Sequence, residues 1–122
     1  MRLQESGEMY LETILILSQK QSSVRSVDVG EYMGFSKPSV SRAVGLLRKG
    51  GFVEMRPDGE LILTKIGRET AEKIYERHTV LTRALMLLGV PEAVAAEDAC
   101  RMEHCISDET MAAVKQHLAN ME

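Results

Sequence analysis

Large aromatic side chains are scarce in this chain, which has no tryptophan, three tyrosines and two phenylalanines among 122 residues. With eight methionines beside them, that composition suits helices packed through Leu and Met better than a sandwich or barrel. The two cysteines, Cys100 and Cys105, fall on one predicted helix and make a poor disulfide framework. No apolar run approaches the roughly 18 residues needed to span a membrane, and no secretory signal is recognisable. These absences argue against a membrane-spanning helix and against a disulfide-stapled secreted domain, and predict a soluble cytoplasmic protein. With 44% hydrophobic residues, the chain can bury a modest core as one or two small units.

A net charge of −3 argues against nucleic acid until its distribution is read. From Lys20 to Arg56, seven Lys/Arg (Lys20, Arg25, Lys37, Arg42, Arg48, Lys49, Arg56) stand against three acids, a balance of +4. From Ile66 onward, six basic residues face ten acids, a balance of −4. The first half could face phosphates and the second could attract cations.

Helical periodicity runs from Ser6 to about Gln19, with Tyr10, Leu11, Ile14, Leu15 and Leu17 on the apolar stripe. After the polar break Gln21-Ser22-Ser23, Ser26 is the expected N-cap of a short helix over Val27–Met33, stopped at Gly34. Ser36 is a second N-cap and Pro38 fits a first turn, so a longer helix reaches about Lys49 and stops at Gly50-Gly51. Phe52–Met55 and Glu60–Leu63 read as short strands around the Pro57-Asp58-Gly59 turn. Thr64 caps a long helix to about Leu88, with Gly89 as its stop. A helix from Pro91 to about His104 follows, and Ser107 with Glu109 opens a last one.

This order of short helix, tight turn, longer helix and hairpin is that of a winged helix-turn-helix, whose second helix enters the major groove N-terminus first. The expected fold is mainly α, with a winged helix-turn-helix DNA-binding domain over residues 1–64 and a helical metal-binding and dimerisation domain over 65–122. Candidate DNA contacts are Arg25, Ser26, Ser36, Lys37, Pro38, Ser39, Ser41 and Arg42, together with Arg56 beside the wing turn. The hydroxyls suit phosphates or base edges, and the Lys and Arg side chains supply charge.

The second half carries a different chemistry. If Asp98–His104 is helical, Cys100, Glu103 and His104 stand at i, i+3 and i+4 and project from one face. A thiolate, a carboxylate and an imidazole on one face form a plausible shell for a divalent transition metal. Met9 and Glu12, also at i, i+3, and His78 are the candidates to complete it. Taken singly, Met9 also fits a core position and Cys100 a small buried apolar site. Cys105 is expected to pack and His117 to lie at the surface.

The segments Glu8-Met9-Tyr10-Leu11, Ser36-Lys37-Pro38-Ser39-Val40-Ser41, Leu63-Thr64-Lys65-Ile66-Gly67, Arg77-His78 and Asp98–His104 with Ser107-Asp108-Glu109 resemble the diphtheria toxin repressor family, which includes the shorter manganese transport regulators. The resemblance covers about Glu5 to Ala119. It implies a homodimer that, with Fe(II) or Mn(II) as corepressor, binds a palindromic operator in double-stranded DNA and silences metal-uptake genes. Longer members add an SH3-like domain, and this sequence is similar in length to the manganese-type members. Met9, Cys100, Glu103 and His104 match the iron-type regulatory site, whereas Glu12 and His78 match positions used by manganese-type members. Those members place an aspartate and a glutamate where this sequence has Met9 and Cys100. The iron-type ancillary site needs a carboxylate and a histidine where this sequence has Thr82 and Ala96. The expected site is therefore one composite cluster of Met9, Glu12, His78, Cys100, Glu103 and His104.

Thiolate and thioether donors favour Fe(II), with Mn(II) the runner-up and Zn(II) expected to bind tightly in vitro. The apolar run Leu85-Met86-Leu87-Leu88 with Val90 and Val94 is assigned to a homodimer interface. Two alternatives stand beside this non-enzymatic reading. A metal-independent winged-helix regulator would need no cluster. A helical metalloenzyme would usually show repeated Glu-x-x-His pairs, and none is present here.

Overall fold

The computed structural model describes residues 5–121. Its elements are α1 (Glu5–Lys20), α2 (Ser26–Met33), α3 (Lys37–Lys49), β1 (Val53–Met55), β2 (Leu61–Leu63), α4 (Lys65–Leu87), α5 (Glu92–Met102) and α6 (Asp108–Met121). They form two compact units that part between Glu72 and Lys73, inside α4. The sequence boundary at 64/65 falls at the start of that same helix.

In the first unit the apolar stripe of α1 is fully covered, with Leu11, Ile14 and Leu15 at most 1% exposed. Val29 of α2, Val40, Val44 and Leu47 of α3, and Phe52 and Val53 of the wing join the same core. Each such aliphatic side chain removed from water contributes about 1.5–3 kcal/mol. The tight turn between α2 and α3 depends on Gly34, which adopts φ 74° at the C-cap of α2. Ser36 caps α3 as its sequence predicts, its Oγ accepting from the Ser39 N–H. At α2 the expected cap shifts by one residue. Arg25 takes the N-cap and Ser26 is the first helical residue, because the Asp28 carboxylate reaches back to the Arg25 N–H at 2.8 Å.

The wing pairs β1 and β2 antiparallel, with Val53 opposite Leu63 and Met55 opposite Leu61. Its outer end is tied inward, since the Leu61 N–H donates to the Val24 carbonyl at 2.7 Å. The start of α4 is seated closely on the wing: a Cβ at Gly67 would fall 1.9 Å from the Phe52 carbonyl oxygen. Thr64 donates to the Gly51 carbonyl and accepts from the Gly67 N–H, which fixes that approach.

The second unit has a smaller core, centred on Leu81, Ala99 and Met111 with Val80, Met102 and Ile106 packed around it. α5 ends at Met102, two residues before the expected boundary. Glu103 keeps αR geometry as its C-cap, and the segment 103–107 turns into α6, which Ser107 caps by accepting from the Thr110 N–H at 3.0 Å. Past the helix end the Cys105 N–H donates to the Met102 carbonyl, and the Glu103 and Ile106 carbonyls both accept from the Arg77 guanidinium.

Candidate metal centre and DNA-reading surface

Within the second unit, α4 presents His78, and the end of α5 with its following turn presents Cys100, Glu103 and His104. The Glu103 carboxylate is wholly enclosed and lies between two imidazoles. His78 Nδ1 stands 3.1 Å from its Oε2, and His104 Nε2 stands 3.3 Å from its Oε1. The His104 side chain is 1% exposed and that of His78 30%, so the group opens toward solvent on the His78 side. His78 and Glu103 can each offer a ligand atom to one ion.

Because Glu103 N donates to the Ala99 carbonyl, the helical path continues through Glu103 and keeps it one turn from half-buried Cys100. His104 lies in the turn beyond, so the three predicted ligands do not share one regular helix. Burying a carboxylate is costly unless a cation or strong donors compensate it. A carboxylate with two imidazoles, and a thiol one turn away, fits the donor preferences of a first-row divalent metal.

Arg77, beside His78 on α4, was given no role by its sequence position. Its Nη1 donates to the Glu103 carbonyl at 2.9 Å and the Ile106 carbonyl at 2.8 Å, while its Nη2 pairs with Asp108. Asp108 also accepts from Lys73 Nζ at 3.2 Å. The Lys73 ammonium, then the Arg77 guanidinium, hold its carboxyl below the usual carboxylate range. The Thr82 hydroxyl donates to the His78 carbonyl at 2.7 Å, a helix-internal use that accords with its failure to match an ancillary ligand.

Met9 and Glu12 lie on α1 in the first unit, Met9 half-buried and Glu12 at 8% exposure. Cys105 is exposed rather than packed, because the helix has already ended; its thiol faces the Arg101 carbonyl at 3.5 Å. His117 is exposed, as expected.

The candidate DNA contacts all lie in the first unit. Lys37, Pro38, Ser41 and Arg42 are all exposed at the start of α3. Ser36 and Ser39 hydroxyls, 3.0 Å apart, build the helix start. Burial pushes the Tyr10 phenol up, and the Arg42 charge opposes that shift. Ser26 opens α2 beside this surface. Arg25 is already engaged: its Nε donates to the Asp58 carbonyl at 3.2 Å and its Nη2 lies 3.4 Å from the Asp58 carboxylate, holding the wing turn. Arg56 projects from the wing, 64% exposed, with only a 3.9 Å contact to Glu60.

Two family models divide the chain between them. The one described as "Iron dependent repressor, N-terminal DNA binding domain" matches residues 2–61, and the one described as "Iron dependent repressor, metal binding and dimerisation domain" matches residues 64–122. The transcriptional regulator MntR of Escherichia coli O6:H1 is 35% identical over 106 residues, covering 87% of this chain and 68% of that protein. The chain belongs to the iron-dependent repressor family of metal-dependent transcriptional regulators. It is also similar to the diphtheria toxin repressor of Corynebacterium glutamicum, 32% identical over 108 residues, which cover 88% of this chain and 47% of that one. Among solved structures, a manganese-dependent transcriptional repressor in complex with manganese superposes with a TM-score of 0.84 at 27% identity, over 93% of this chain and 52% of that one. The chain spans about half the length of this repressor and of the manganese regulator SloR. The first unit thus holds the winged helix-turn-helix DNA-binding domain of the family, and the second falls within the region matched by its metal-binding and dimerisation domain. No helix among the described residues is long and apolar enough to cross a membrane.

Proposed function

We propose that this protein is a cytoplasmic, metal-gated repressor that binds a palindromic operator as a homodimer and controls metal-uptake genes, with Fe(II) as favoured effector and Mn(II) second. The enclosed Glu103 carboxylate between His78 and His104 carries this reading. Cys100, Met9 and Glu12 are the further proposed ligands. A divalent metal, when bound, would supply positive charge beside the enclosed Glu103 carboxylate. Glu103 and His104 hold it from the turn after α5, His78 from α4, and Met9 and Glu12 from α1. Thiolate and thioether donors support iron first. The likeness to a manganese-dependent repressor keeps manganese second.

The operator contacts proposed are Lys37, Pro38, Ser41 and Arg42 from α3, Ser26 from α2 and Arg56 from the wing, with Arg25, Ser36 and Ser39 setting their placement. A second copy is the proposed occupant of the apolar groove along α4 and α6, a 420 Å³ recess lined by Ala84, Leu87, Leu88, Val114, Leu118 and Met121. Leu88 is 81% exposed beside it, and the matched family model names dimerisation among this region's roles. Two recognition helices would then address successive major grooves about 34 Å apart.

Gel shift on an inverted-repeat duplex under anaerobic conditions, with Fe(II), Mn(II) and Zn(II) supplied separately, tests the proposal. Metal-dependent retardation is expected. Equal retardation with chelator would make this a metal-independent winged-helix regulator.

A further inference from the structure

We infer that Arg77 is a positioning residue for the metal centre, clamping the turn that carries Glu103 and His104 in ligand-ready form before any ion arrives. The inference rests on the proposed function, because it takes Glu103 and His104 as ligands. Its support is the way two consecutive residues of α4 grip the same partner. His78 Nδ1 meets the Glu103 carboxylate at 3.1 Å, while Arg77 Nη1 meets the Glu103 carbonyl at 2.9 Å. Backbone and side chain of one residue are therefore both referred to α4.

The same Arg77 nitrogen also receives the Ile106 carbonyl, and the other guanidinium nitrogen meets Asp108, the first residue of α6. A planar guanidinium suits this task because its donors are fixed relative to one another, so three acceptors along residues 103–108 are held at one spacing. A lysine carries its donors on one ammonium at the end of a flexible stem and lacks the fixed spacing of that fork. The Arg77 side chain is only 12% exposed, so water competes poorly for those carbonyls. Helix α5 has already ended at Met102, and the segment 103–107 has no regular helix to hold it. Without the clamp, the turn that carries the two ligands would lose three ties to α4, and each binding event would have more of it to order. Partners that orient ligands in this way commonly set metal affinity by roughly 10–100-fold.

The test uses the full chain titrated with Co(II) and Mn(II), comparing wild type, Arg77→Met, Arg77→Lys and a control, Lys115→Met. Lys115 ties α6 to Glu76 of α4 at 2.7 Å and does not touch the turn. Arg77→Met is expected to weaken both metals by roughly 10–100-fold, to change the ligand-field absorption bands of the Co(II)-saturated protein, and to speed amide hydrogen exchange at 103–107 in metal-free protein. Arg77→Lys should fall between it and wild type, and it reads the effect if Arg77→Met fails to fold. Lys115→Met should leave affinity and spectrum alone. Wild-type affinity and spectrum in a folded Arg77 variant would overturn the inference, as would an equal loss in Lys115→Met. A wild type that binds neither metal would remove the proposed function itself.

Discussion

The two units reach order by different means. The first closes a continuous apolar core from Tyr10 to Ala71, in which α1, α2, α3 and the wing all share buried side chains. The second has a much smaller apolar centre at Leu81, Ala99 and Met111 and depends on polar ties: Arg77 to two carbonyls, Lys73 and Arg77 to Asp108, Lys115 to Glu76. The exposed pairs among them, Lys73 to Asp108 and Lys115 to Glu76, contribute little each, typically below about 1 kcal/mol, so their value lies more in geometry than in stability. The unit that reads DNA is held by burial, which is indifferent to metal. The unit that carries the candidate ligands encloses the Glu103 carboxylate and borders an apolar groove along α4 and α6.

The contrast breaks most visibly at Gly67. Placing a Cβ there drives it into the Phe52 carbonyl, and because that neighbour is backbone, no rotamer change relieves it. Gly67→Ala should cost about 3 kcal/mol or more in denaturant unfolding, at the upper end for overpacking. A loss below about 0.5 kcal/mol, the scale of ordinary surface changes, would mean that the wing and α4 are not seated as described.

Glu103→Gln tests the second unit. It keeps the shape of the side chain and an oxygen near His78 while removing the carboxylate that the proposed metal would need. The metal-induced gain, about 2.7 kcal/mol at a hundredfold excess over Kd, should disappear. Thermal melts with and without Mn(II) or Fe(II) read this effect. A variant that keeps the full metal-induced shift would show that Glu103 is no ligand.

Replacing Leu87 and Leu88 by Asp should leave monomer stability almost unchanged, since they are 53% and 81% exposed. It should weaken self-association tenfold or more, because about 1.5–3 kcal/mol accompanies burial of each leucine. Sedimentation equilibrium decides this. An unchanged association constant would place the partner elsewhere.

Arg42→Ala should lower operator affinity and reduce the slope of log affinity against log salt by about 1, with no change in melting temperature. An identical slope would mean that Arg42 meets no phosphate.

The smallest effect concerns pH. The carboxyl of Asp108 titrates below its ordinary value of 3.8 when folded, so its ion pairs stabilise the protein above that value. That contribution is lost as pH falls through the lowered value. The difference in melting temperature between wild type and Asp108→Asn should therefore be steady near neutrality and shrink below about pH 4. A difference that instead grew on acidification would contradict the ion-pair assignment.

What the chain disclosed beforehand was local in origin. Gly34, Ser36 with Pro38, Pro57-Asp58-Gly59 and Gly89 each act on their own few residues, and the elements they punctuate stand where the sequence places them. The departures have two sources. Arg25 caps α2 in place of Ser26 through a local capping box with Asp28, three residues on, whereas the segment after α5 leaves the helix and is tied to Arg77, 26 residues away. His78, Glu103 and His104 were nameable as metal donors by residue type. Their meeting around one enclosed carboxylate was not visible in spacing, since His104 lies outside the helix that the spacing argument assumed.

The hydrogen bond from Leu61 to Val24 bears on how quickly a DNA reader can be assembled. It joins residues 37 positions apart and fastens the last strand of the first unit to the segment before α2. Contacts of that sequence separation must meet their loop-closure entropy before they return any stability, so they tend to set the folding rate. Helices α1 to α3 can form from local contacts within the first 49 residues, but the wing is fastened only once Leu61 has arrived. During synthesis the recognition helix is thus made early, while the surface able to grip an operator is completed late, after the chain has passed its second strand.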